Sequence, residues 1–191
     1  MYAMKDKKRQ NTLRKLQTKR TAKECAYLAV FVALLIVSQV LLSLVPGVEI
    51  VTVLFVAYAF VFGWKRGMAA ATAFSLLRQI VFGIYPVVLV LYLLYFNALA
   101  FVFGVLGKKI KQTVRALPII ILCACVGTAC FTMLDNILTP LWYGYSQRAA
   151  EVYFYASLSF MLPQILCSAI SVGVLFLPLK SAFAYVKKSL K

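Results

Sequence analysis

Histidine is absent from this 191-residue chain and acids are scarce, five Asp and Glu against 21 Lys and Arg. Without histidine, the usual general base near neutral pH and a common zinc ligand are missing. The five cysteines (Cys25, Cys123, Cys125, Cys130 and Cys167) form no CxxC pair, and each falls in or beside an apolar run. They read as small packing residues rather than as metal or redox centres, so no metal site is expected. The GxxxxGK[ST] phosphate loop, the nucleophile elbow, HExxH and paired catalytic carboxylates are also missing. Hydrolysis of ATP by the phosphate-loop route is excluded, and the chain reads as a non-enzyme that needs no cofactor.

What is present is apolar. Hydrophobic residues make up 63% of the chain and charged residues 14%, with a mean hydropathy of +0.89. That is the composition of an integral membrane protein, and repeated runs approaching the roughly 20 residues needed to cross hydrocarbon predict an all-helical bundle. The first run, about Ala22 to Leu44, exceeds a signal-peptide core and lacks a small-x-small cleavage site before Pro46, so it reads as a retained helix. Further helices are expected over about Ile50 to Phe62, which is short, and over about Met68 to Phe82, Val87 to Val105, Pro118 to Leu138 and Ala156 to Leu177. Residues 63 to 67 (GlyTrpLysArgGly) read as a tight basic turn, and 139 to 156 as the longest connection outside the core. No internal repeat is visible.

Charge placement predicts an orientation. The N-terminal segment, the 2–3 and 4–5 connections and the C-terminal tail hold nine, two, four and four basic residues, 19 of the 21. The positive-inside rule puts these segments in the cytoplasm, with both termini inside and six spans, in a bacterial cell membrane. The expected division is a basic cytoplasmic segment at 1–21, a six-helix membrane domain at 22–182 and a basic tail at 183–191. The net charge of +16 is accounted for by these loops and the lipid bilayer they face, not by nucleic acid.

Polar residues within the apolar runs are the candidate site. Asp135 comes first, because a carboxylate in hydrocarbon must face protein, water or ligand. Placed by helical rise, Arg78, Gln79, Asn136 and Gln164 gather with Asp135 towards the outside, and Asn97 lies nearer mid-membrane. Glu49 would rim an outward pocket, Trp142, Tyr143 and Tyr145 would roof it from the 5–6 connection, and Tyr92 and Tyr95 would add stacking faces. Structural alternatives stand beside each. Arg78 can snorkel to phosphates or pair with Asp135, and Asp135 can cap its own helix. Trp142, Tyr143, Tyr145, Tyr153 and Tyr155 can form an interfacial belt, and Gln164 can satisfy carbonyls freed by Pro163. On the first helix, Ala29 and Ala33 leave a shallow groove, either for internal packing or for another helix.

Several stretches together resemble the substrate-binding S components of energy-coupling factor importers. They are the Ala29xxxAla33 spacing, ValProGlyValGluIleValThr (45–52), PheGlyTrpLysArgGly (62–67), AspAsnIleLeuThrPro (135–140) and a last helix with LeuPro…PheLeuProLeu ending at Leu179. The resemblance covers roughly residues 22 to 182. It implies a compact six-helix binder that captures a vitamin or related micronutrient from outside. It also implies docking, through Ala29 and Ala33, to a membrane-embedded coupling subunit driven by two cytoplasmic ATPases. The pocket residues would include Arg78, Asp135, Asn136 and Gln164. The rival expectation is a multi-span scaffold of cell-shape or envelope assembly that binds no solute.

Overall fold

A computed structural model describes the backbone of residues 2–43 and 50–190 and the side chains of residues 21–43 and 50–190. These residues form six helices: α1 (Tyr2–Leu42), α2 (Val51–Phe62), α3 (Trp64–Phe82), α4 (Pro86–Lys109), α5 (Leu117–Tyr143) and α6 (Gln147–Ser189). No strand occurs among the described residues. Four helical segments are long and apolar enough to cross a membrane: Thr21–Leu42 of α1, and α4, α5 and α6.

The other two helices account for the difference from six predicted spans. With 12 residues, α2 is about 18 Å long, well short of a hydrocarbon core of about 30 Å. In α3, 19 residues long, Lys65, Arg66 and Arg78 dilute the apolar run.

The centre of the molecule is α2. Every residue from Val51 to Phe60 is buried, so this helix is apolar all round and needs partners on all sides. It packs mainly against α6 and α4, then α3, with smaller contacts to α1 and α5; α3–α4 and α5–α6 are the most extensive pairs. Phe55 lies 4.6 Å from Phe96 and 5.5 Å from Phe74, ring centre to ring centre, and Phe31 stacks on Tyr58 at 3.9 Å. In α3 the small residues Ala70 and Ala71 are fully buried, letting the neighbouring helices approach closely.

The turns depart from the sequence reading. Between α2 and α3 stands a single residue, Gly63, at φ 87°, so Lys65 and Arg66 lie in the first turn of α3 rather than in a basic loop. Cations are unfavourable at that positive helix end. Arg66 is compensated by Glu24 of α1, at 2.6 Å.

The long 5–6 connection does not exist either. Pro140 lies inside α5, which continues to Tyr143 and ends on Gly144 in the left-handed conformation. There Gly144 and Tyr145 both turn their amides to the Pro140 carbonyl, the usual way of closing a helix whose last carbonyls lack partners. Ser146 then caps α6 by accepting from the Ala149 amide. Three residues connect the two helices, so there is no roofing loop.

At the chain ends, helix extends into both basic segments. In α1 it begins at Tyr2, and in α6 it runs through Pro163 and Pro178 to Ser189, so residues 183–189 are helix rather than tail.

Candidate functional site

Two polar groups lie at the bundle end where α1, α3 and α5 finish and α4 and α6 begin. The first is built on Arg78. Its Nε donates to Gln39 Oε1 of α1 at 3.1 Å, and Gln39 Nε2 donates to the Tyr92 hydroxyl of α4 at 2.9 Å. The guanidinium lies 4.3 Å from the centre of the Tyr92 ring and 4.7 Å from that of Phe82. A planar cation away from carboxylates is stabilised this way, by an amide oxygen and aromatic faces. Arg78 and Asp135 form no ion pair with each other; Arg66–Glu24 is the ion pair among the described residues.

The second is built on Asp135 of α5. Its Oδ1 accepts from Thr139 Oγ1, one helical turn on, at 2.6 Å, and its Oδ2 accepts from the Tyr153 hydroxyl of α6, also at 2.6 Å. Bonds from hydroxyls to a carboxylate at this distance are charge-assisted and strong. The carboxylate borders a cavity of about 300 Å³ between α5 and α6, whose wall includes Phe131, Thr132, Phe160 and Gln164. That volume is at the lower end of small-molecule sites, and apolar rings with a few polar groups are the usual lining. Phe131 joins the two groups, its ring 5.8 Å from Tyr92 and 4.8 Å from Tyr95.

No family model, no curated protein and no solved structure matches the chain.

Of the residues singled out in the sequence, Asp135 and Gln164 line the cavity together, while Arg78 and Tyr92 form the neighbouring platform. Asn136 is half-buried; both ends of its side-chain amide are shielded from solvent and neither has a hydrogen-bond partner. Gln79 serves the fold, because its Oε1 accepts the Tyr85 amide at 3.1 Å and so closes the α3–α4 turn. Asn97 donates to the Leu93 carbonyl of its own helix at 2.8 Å and accepts from Thr72 of α3. Trp142 and Tyr143 occupy the last turn of α5, 56% and 54% exposed, and do not border the cavity. Glu49 lies outside the described residues.

Ala29 and Ala33 are both exposed on α1, which turns Phe31, Val32 and Leu35 inward instead. The small-residue groove is therefore not consumed by packing within the chain.

Four contributors escaped the sequence reading. Gln39 is the lone amide in the first apolar run, a signal that was present. Phe131 and Thr139 carry no local mark, and Tyr153 reads as one belt aromatic among five until its hydroxyl is seen on Asp135. Chemically, the cavity offers a carboxylate acceptor, hydroxyls, an amide and aromatic walls. Such groups are the kind that hold a small molecule by shape and hydrogen bonds. Among the described residues, no three of His, Cys, Asp and Glu come together as metal ligands would.

Proposed function

We propose that this chain is the substrate-capturing membrane subunit of an ATP-driven importer of the energy-coupling factor type. The observation that carries the proposal is the Asp135 cavity: a carboxylate, a tyrosine hydroxyl, a glutamine and aromatic walls at one end of an apolar bundle. A membrane scaffold has no need of such a recess. In this reading the cavity faces outward, the lysine-rich end faces the cytoplasm, and all six helices belong to the membrane domain, the short α2 enclosed by the others. The substrate is a vitamin-like micronutrient carrying hydrogen-bond donors for Asp135 and a flat or apolar body for Phe131 and Phe160. The exposed Ala29–Ala33 face supports docking of a coupling subunit, because two small side chains one turn apart let another helix approach closely.

Affinity purification of the tagged protein from its own membranes in mild detergent tests the proposal. Co-purification of two ATPases with a larger membrane subunit is the expected result. Recovery of envelope-assembly or cytoskeletal proteins without ATPases would replace the importer with the scaffold.

A further inference from the structure

At the opposite end of the bundle, a second cavity, of about 330 Å³, lies where α2 and α4 end and α6 approaches its C-terminus. Its cations come from two places far apart in sequence: Lys111 follows α4, while Lys180, Lys187 and Lys188 belong to α6. Lys180, Ala184 and Lys187 fall at helical spacing on one face of α6, and the alanine between the lysines leaves the space open. Among the described residues, no acid borders this cavity.

Two of the ammonium groups are held in place by the fold. Lys187 Nζ donates to the Val61 carbonyl in the last turn of α2, where helix carbonyls lack partners and the helix dipole favours a cation. Lys180 Nζ donates to the Thr113 hydroxyl and lies 5.8 Å from the centre of the Phe60 ring. Capping α2 takes one lysine, and four are gathered. An ammonium carries three donors, so Lys180 keeps capacity beyond its bond to Thr113, and Lys111 and Lys188 are exposed at the rim. Cations from two parts of the chain around one recess match an anion with several acceptor oxygens, and Phe60 and Ile110 add an apolar wall.

We propose that the lysine cavity is a binding site for a phosphate group, either that of an acidic lipid headgroup or free inorganic phosphate. The site is independent of the substrate cavity and does not rest on the importer reading. Full-length protein, delipidated in detergent, would be offered phosphatidylglycerol, phosphatidylcholine or inorganic phosphate, with bound ligand read by native mass spectrometry. Wild type should retain phosphatidylglycerol over phosphatidylcholine by about tenfold, and Lys111→Gln with Lys188→Gln should abolish that preference. The same pair changed to Arg should keep it. Lys108→Gln with Lys109→Gln removes the same charge at the same end but outside the cavity lining, and should change retention less than about threefold.

Retention that millimolar inorganic phosphate does not displace assigns the lipid headgroup. Binding of inorganic phosphate without lipid, lost in the Lys111/Lys188 pair alone, assigns free phosphate. Equal losses in the two glutamine pairs, or no preference over phosphatidylcholine together with no phosphate binding, would overturn the proposal.

Discussion

At one end of the bundle a single carboxylate, Asp135, is met by two hydroxyls at 2.6 Å. At the other, four lysines surround a cavity of similar size, and no acid among the described residues borders it. Both cavities involve α6, one near its beginning and one near its end. The difference is one of balance. The Asp135 end pairs its charge within the protein and presents what remains as a shaped recess, whereas the lysine end carries charge in excess of its internal bonds. A charge answered internally contributes to the fold, and its removal should cost stability. A surplus charge contributes little to the fold and is available to something else.

That contrast can be broken at several points. The largest effect is expected at Gly107, where α4 passes the end of α2. A Cβ there would lie 2.1 Å from the Phe60 carbonyl oxygen, so Gly107→Ala must push the two helices apart. A loss of about 3 kcal/mol is expected from overpacking of this kind, read as a fall in thermal unfolding midpoint in detergent. Gly173→Ala, whose Cβ would meet Ile121 at 3.7 Å, should be nearly neutral.

Next comes Tyr153→Phe, which strips one of two hydroxyls from the Asp135 carboxylate. About 1.5–3 kcal/mol should be lost in the same assay, the usual worth of a hydrogen bond to a charged group. An unchanged midpoint would mean that water takes over the bond and the carboxylate is not held by the fold. Arg78→Lys keeps the charge but gives up the planar stack on Tyr92 and Phe82; roughly 1 kcal/mol should go, in proportion to the lost cation–π contacts. The smallest effect is expected for Lys111→Gln, within about 0.5 kcal/mol of wild type, as for an exposed residue outside the packed interior. A large loss there would show that the lysine end is balanced after all.

Much of the helical plan was legible in the sequence because apolar length and turn residues are local properties. The short second helix and Pro118 in the first turn of α5 follow from hydropathy and proline's fixed φ. Pro140 misleads for the same reason. A proline followed by polar and aromatic residues looks like a stop, but whether the helix continues for one more turn depends on Gly144 and on the carbonyls it satisfies. The Asp135 site was legible as a costly carboxylate with Gln164 at the same end of the bundle, but without its hydroxyl partners. Its partners Thr139 and Tyr153 are 4 and 18 residues away, and only the α5–α6 pairing selects Tyr153 from the other tyrosines. Gathering Lys111 with Lys180 is likewise a tertiary event, invisible to any count of charges per loop.

The enclosure of α2 has a consequence for how the chain is made. Synthesis proceeds from the N-terminus, so this 12-residue helix emerges well before α4 and long before α6, the two elements that cover it most. On its own it is too short to bridge the bilayer and has no polar face to lie along the interface. Its final position therefore exists only after the last quarter of the polypeptide has arrived. A ribosome stalled before α6 would leave an intermediate whose most apolar helix is uncovered on its α6 side, the kind of species that membrane chaperones and quality-control proteases detect.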